Sequence, residues 1–141
     1  MAICFANIDV EFNLEQKLRL KRWINAVAQL HGRKVGNISY GFCSDTHIIE
    51  ANRQYLQHDY FTDIITFDYS EGNIISGDLL ISLDTVRSNA VQFNSDFTTE
   101  LHRVMIHGVL HLLGFKDKTD NEQVEMRKRE DEALNLLSMI S

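Results

Sequence analysis

His107-Gly108-Val109-Leu110-His111-Leu112-Leu113-Gly114-Phe115-Lys116-Asp117 sets two histidines four residues apart in an otherwise apolar run. On a helix such a pair stands one above the other on one face, so the imidazoles converge on a single point, a metal-ligand spacing. Leu101, Val104, Met105, Ile106, Val109, Leu110, Leu112 and Leu113 surround the pair, the pattern of a helix buried all round. Imidazoles in such a place need partners. Gly114 ends the helix, because only glycine takes the left-handed position after a helix without steric cost, and the reversed chain can bring Asp117 back toward the histidines. Two nitrogens and one oxygen would hold one ion and leave a coordination position for water.

The bare spacing is weak evidence, since six histidines in 141 residues often place some pair four apart by chance. Chance does not account for the apolar setting, for a glycine inside the helix at a cost of about 1 kcal/mol, or for an oxygen ligand just beyond the helix stop. A metalloprotease would carry His-Glu-x-x-His, with the glutamate as general base. Gly108 stands at that position here, so a hydrolase relying on the metal-activated water ranks above a protease.

At 141 residues the chain fits one domain, 1–141, with a core of its own. Hydrophobic content of 44% and charged content of 24% are those of a soluble globular protein. No segment approaches the length of a membrane span, and the N-terminus has neither a basic leader nor a small-residue cleavage site. A cytoplasmic protein without a membrane partner is expected, and no motif for a nucleotide cofactor is found. Cys4 and Cys43 are too few for a disulfide framework or a cysteine zinc site and read as buried packing residues. The net charge of −6 counts against nucleic acid. Its distribution matters more, because residues 1–40 hold six cations against three acids. That basic stretch, with Trp23, is a candidate guide for a phosphate backbone; a solvated helix face around a core tryptophan is the plainer reading.

Outward from the histidines, Ile3, Phe5, Ile8, Val10 and Phe12 predict a first strand with a change of phase near Asn7. A helix follows with Asn13 as N-cap and Gln16 three residues on, ending near His31-Gly32. Gly36-Asn37 reads as a turn into a strand at Ile38, Tyr40 and Phe42, and Ser44 or Asp45 caps a helix through Tyr55. Strands at Ile64–Phe67 and Leu79–Ile81 flank a Gly72-Asn73 turn. A short helix from Val86 to Phe93 leads to the histidine helix, and Thr119-x-x-Glu122 is a capping box for the last one. Strands gathered early with helices after them predict one α+β domain, a roughly four-stranded mixed sheet packed with helices and a metal site on a buried helix.

Asn52-x-x-Tyr55, Asp59, Thr62-Asp63-Ile64-Ile65-Thr66-Phe67, Gly77-Asp78-Leu79 and His107 to Phe115 together resemble the bacterial YbeY family of ribosomal RNA maturation factors. The resemblance implies a zinc-dependent, single-strand-specific endoribonuclease acting on ribosomal RNA ends, notably of the small subunit, and in ribosome quality control. Its partners would be single-stranded and ribosomal RNA, and the ribosome or ribosomal proteins. The family usually has His-Gly-x-Leu-His-Leu-x-Gly-Tyr-Asp-His, and Asp117 stands here for the last histidine. Aspartate is an ordinary zinc ligand, although a His-His-Asp set is harder and opens the site to Mn or Fe. Leu56 replaces a common family arginine, whose role cannot be carried over, and Phe61 replaces a proline.

The metal ligands expected are therefore His107, His111 and Asp117, holding one Zn2+. Arg103, one turn before His107, is the candidate substitute for the lost arginine as phosphate support; an ion pair with Glu100 is the alternative. Asp63, Asp78 or backbone carbonyls are candidates to orient the imidazoles. A non-catalytic assembly factor with a structural metal stays open, with His47, His58, His102 or Asp120 as the fourth ligand that it would need.

Overall fold

Residues 2–56 and 62–141 are described by the computed structural model, the side chain of Leu56 excepted. His58, Asp59 and Phe61, singled out above, lie outside the described residues. Four strands, β1 (Ile3–Asn7), β2 (Lys34–Cys43), β3 (Ile64–Asp68) and β4 (Ile74–Ser82), pair in the order β1-β2-β4-β3. β1, β2 and β4 run parallel and β3 is antiparallel to β4. Parallel neighbours need crossovers. Helix α1 (Lys17–Leu30) supplies the first and α2 (Asp45–Ala51), with a π-helical turn at Asn52–Leu56, lies in the second. Only β3 to β4 is a hairpin, turned at Gly72 with φ 55°. α3 (Leu83–Gln92), α4 (Phe97–Leu112) and α5 (Asp120–Leu137) complete the α+β fold with its mixed four-stranded sheet.

In β2, Ile38, Tyr40 and Phe42 are buried on the face that receives α1, α4 and α5. The residues between them, Ser39, Gly41 and Cys43, face the other way, as the two-residue period requires. On that far face α2 covers only a small cluster of Cys43, Ile48, Ala51 and Ile65. Buried polar atoms tie the helices to the main core. Tyr40 Oη donates to the Met105 carbonyl at 2.9 Å and Trp23 Nε1 to the Ala133 carbonyl at 2.7 Å. Trp23 is wholly buried, so it is a core residue and no guide for RNA.

Several sequence expectations are corrected. α1 begins at Lys17 with Gln16 at its cap in the left-handed region, φ 59°, and no side chain caps it. Asn13 starts no helix because the next residue, Leu14, is anchored in the core at 6% exposure before the chain can turn. Gly36-Asn37 is not a turn; it lies inside β2 at a break in register between Val35 and Ile38. A Cβ on Gly36 would collide with Ser76 Oγ and Ile74 Cγ2, so the neighbouring strand runs too close there for any side chain. Cys43 is buried as expected, but Cys4 is exposed. α4 is not enclosed on every side, for the His107 and His111 side chains keep 20% and 27% of their surface in solvent.

Gly108 explains how α4 can lie flat on the sheet. A Cβ there would come within 2.8 Å of Ile64 Cδ1 and 3.1 Å of both Leu79 methyls. Helix propensity alone would make Gly108→Ala stabilising by about 1 kcal/mol. Leu79 is fully buried between helix and sheet and has nowhere to retreat, so overpacking should win and lower stability by about 1–2 kcal/mol net. Thermal or urea unfolding measures the sign, and a raised midpoint would show that the sheet yields.

Candidate metal centre

α4 is capped by Asp96, whose side chain accepts from the Thr99 N–H at 2.7 Å, and its interior turns place His107 and His111 on one edge. The helix ends in a paired glycine stop. The Phe115 N–H donates to the Leu110 carbonyl at 3.0 Å and the Gly114 N–H to the His111 carbonyl at 3.0 Å, with Gly114 at φ 103°. This turn does two things. It reverses the chain so that Asp117 returns to the histidine edge, and it aims the Phe115 carbonyl at His111.

His111 Nδ1 lies 3.0 Å from that carbonyl and His107 Nδ1 lies 2.7 Å from Glu130 Oε2 on α5. A carbonyl or carboxylate only accepts, so each Nδ1 carries the proton and each Nε2 presents a lone pair. The two Nε2 atoms are 3.0 Å apart. Asp117 Oδ2 is 3.1 Å from the first and 3.4 Å from the second. Three acceptors thus form a triangle whose edges are close to the ~3.3 Å expected between ligands of a tetrahedral zinc at ~2.0–2.1 Å. A donor set of two imidazoles and a carboxylate fits a divalent ion. Among the described residues these three are the only histidine, cysteine, aspartate or glutamate groups whose ligand atoms all lie within 4.8 Å of one another.

The other sequence candidates fall elsewhere. His102 packs edge-on against Trp23 at 6.0 Å, His47 is on α2, and Asp120 opens α5. Asp78 is on the far face of the sheet, beside Tyr69. Asp63 does flank the site: it lines the cleft with His107, His111 and Asp117, and accepts from Asn89 Nδ2 at 3.2 Å. Burial raises the Asp63 carboxyl above the usual range against the pull of His107. Arg103 is not paired with Glu100. Its guanidinium bonds Glu130 Oε1 at 3.0 Å and Asp131 Oδ1 at 2.9 Å. Glu130, with 8% of its side chain exposed, therefore joins His107 to Arg103.

Glu130 was not singled out in the sequence, although a signal existed. The buried face of α5 is Met126, Glu130, Ala133 and Leu137, spaced four, three and four as a helical stripe requires. A carboxylate on such a stripe must have a buried cation or hydrogen-bond donor facing it. The same carboxylate sets the protonation of His107. Burial alone would draw that imidazole down, but the hydrogen bond and charge of Glu130, with Asp63 and Asp117 beyond, outweigh it and hold the pKa above the ordinary 6.5.

Residues 4–138 match the family described as "Endoribonuclease YbeY". A protein of that name from Parabacteroides distasonis is 56% identical over 137 residues, which cover 97% of this chain and 96% of the relative. Its namesake from Bacteroides fragilis is 52% identical over 134 residues, covering 95% and 96%. The solution structure of TM1509 from Thermotoga maritima superposes with a TM-score of 0.66 at 25% identity, covering 96% of this chain and 89% of that one.

Replacing Glu130 by Gln keeps an acceptor for His107 but removes its charge. Metal affinity should fall about 10–100-fold, read by competition with a chromogenic chelator; unchanged affinity would mean that Glu130 does not orient the ligand. The pH dependence has a definite sign. Because the His107 pKa is raised, a proton competes with the metal from above pH 6.5 downward, and apparent affinity should weaken by about tenfold per pH unit for the one proton displaced. In the metal-free protein the His107–Glu130 pairing contributes stability that is complete below the unfolded-state pKa and lost as pH rises through the raised folded-state one. Calorimetric titration in buffers of different ionisation enthalpy checks the proton release.

Proposed function

The chain belongs to the YbeY family of endoribonucleases, and on that premise we propose that it is a zinc-dependent hydrolase of single-stranded RNA acting on ribosomal RNA ends. It is an endoribonuclease of ribosomal RNA maturation. In this reading residues 1–141 form one catalytic domain, working in the cytoplasm on the ribosome, on small-subunit RNA ends and in ribosome quality control. No helix among the described residues is long and apolar enough to cross a membrane.

The observation that carries the metal-dependent mechanism is the convergence of His107 Nε2, His111 Nε2 and Asp117 Oδ2 on one point at the wall of an open cleft. These three would hold the ion, with zinc first and Mn or Fe admitted by the aspartate. Such an ion supplies Lewis acidity toward the phosphodiester and makes water acidic enough to attack near neutral pH. The protein does the rest. Glu130 and the Phe115 carbonyl fix the two imidazoles as acceptors toward the cleft. Asp63 sits in the cleft wall as a carboxylate able to accept a proton from the attacking water. Arg103 supports the phosphate indirectly, by holding Glu130 against His107, since its nitrogens are engaged by two carboxylates. Lys118 at the cleft edge offers the nearest unburdened cation among the lining residues.

A structural metal would be closed by four protein ligands, and three are present among the described residues. Metal analysis alongside cleavage of a labelled single-stranded RNA tests the reading. About one ion per chain and cleavage of single-stranded but not duplex RNA are expected, and Asp117→Ala should lose both metal and at least 100-fold in rate. Stoichiometric metal without cleavage, under both Zn and Mn, would falsify the catalytic mechanism in favour of an assembly factor.

A further inference from the structure

The sheet face turned away from α4 is covered by α2 only around Cys43 and Ile65. Beyond that cluster the strand register sets Cys4, Ser39, Asp78 and Phe67 in one row across the sheet, and Ala6, Gly41 and Leu80 in the next. The β1 and β2 members of these rows are too small to cover the backbone beneath them. Tyr55, Phe67 and Tyr69 rise on the β3 side as a wall. The result is a groove of about 480 Å³, within the ~300–1,000 Å³ of ordinary small-ligand clefts.

Its chemistry is particular. Tyr55 and Tyr69 are 61% and 59% exposed, and Tyr55 meets Phe67 edge-on at 5.7 Å. Two tyrosine rings left in solvent beside the half-buried Phe67 offer faces on which bases can stack. The polar groups of the groove include the Asp78 carboxylate, which accepts from the Tyr69 hydroxyl, and the Ser39 and Tyr55 hydroxyls. No lysine or arginine is among the described residues that line it. Such a site repels a phosphate and attracts the amino and imino N–H groups of a base.

The groove lies on the opposite side of β3 from the metal cleft. β3 is an edge strand, and its side chains alternate between the two sites. Ile64 faces Gly108 of α4, and Thr66 and Asp68 line the cleft with the metal triad, while Phe67 stands in the groove. A strand of RNA lying in the cleft has only one β-strand to cross.

We propose that this groove seats one or two unpaired bases of the RNA flanking the cleaved phosphodiester, stacked on Tyr55, Phe67 and Tyr69 with Asp78 accepting from a base N–H. The proposal rests on the endoribonuclease reading for its ligand. Stacking tolerates any base sequence, but a duplex hides its base faces, so the groove would select single strands by itself. It would also give an acidic chain affinity for RNA that does not depend on counterion release.

Two measurements separate this claim from the enzyme reading. In cleavage by the metal-loaded protein, Tyr69→Ala should raise KM about tenfold, and Tyr55→Ala with Tyr69→Ala more. kcat and metal content should stay unchanged, and Tyr69→Phe, which keeps the ring, should behave as wild type. In binding, a single-stranded oligonucleotide with uncharged, uncleavable methylphosphonate linkages and a 2-aminopurine base should be quenched by wild type and bound about tenfold more weakly by the double variant. Equal Kd values for a double variant of wild-type Tm overturn the groove, whatever cleavage shows. If wild type proves dimeric, the double variant monomeric and KM unmoved, the face serves self-association and the proposal fails. Loss of cleavage in wild type with the quenching difference intact would remove the enzyme reading and leave the base site standing.

Discussion

Two imidazole nitrogens and a carboxylate oxygen, each presenting a lone pair, stand within 3.4 Å of one another. Nothing in the immediate geometry relieves that repulsion except a positive charge placed among them. The Phe115 carbonyl and Glu130 take up the only ring protons the two histidines have, so neither Nε2 can donate to the other while both rings are neutral. A metal ion satisfies all three at once; a proton satisfies them in part and leaves His107 with a raised pKa. The rest of the fold can be read as the apparatus that holds this unfavourable triangle together.

That apparatus is mostly rigid. α4 carries both histidines on consecutive turns of one helix, pressed against the sheet where Gly108 removes the side chain that would lift it. The Gly114 turn fixes the third ligand within six residues of the second. α5 supplies Glu130, which is acceptable in a buried position only because His107, Arg103 and, at 3.7 Å, Arg127 surround it. A buried charge with so many partners is weak evidence of extra stability, but removing any one partner leaves the others exposed to a desolvation penalty. Arg103 therefore matters to the site through Glu130, and the tie from α4 to α5 carries both packing and electrostatics.

Most of the elements and the convergence of His107, His111 and Asp117 were legible because each rests on local chemistry. A spacing of four, a glycine stop, a capping box at Thr119 and an alternation at Ile38, Tyr40 and Phe42 all act within a few residues. What the sequence hid acts across the fold. α1 starts after Gln16 rather than after Asn13 because Leu14 is claimed by a distant core, and Gly36-Asn37 is drawn into β2 by the closeness of β4. Glu130 follows His107 by 23 residues, so no window of helical period can join them. Helical spacing offers Arg103 either a phosphate or an ion pair with Glu100, whereas tertiary packing sets Glu130 and Asp131 against it. Glu100 instead lies buried with its carboxyl pushed up by burial.

A net charge of −6 sets a further condition on how such a protein meets a polyanion. The described residues lining the cleft include Asp63, Asp68 and Asp117 against Lys118, so without metal the cleft is acidic and turns a phosphate away. A bound divalent cation becomes the largest local charge and reverses that sign at the point where the phosphodiester must sit. Metal loading would then favour the approach of RNA through charge. With Arg103 committed to Glu130 and Asp131, Lys118 is the one lysine or arginine among the described lining residues of the cleft that could meet a phosphate beside such an ion.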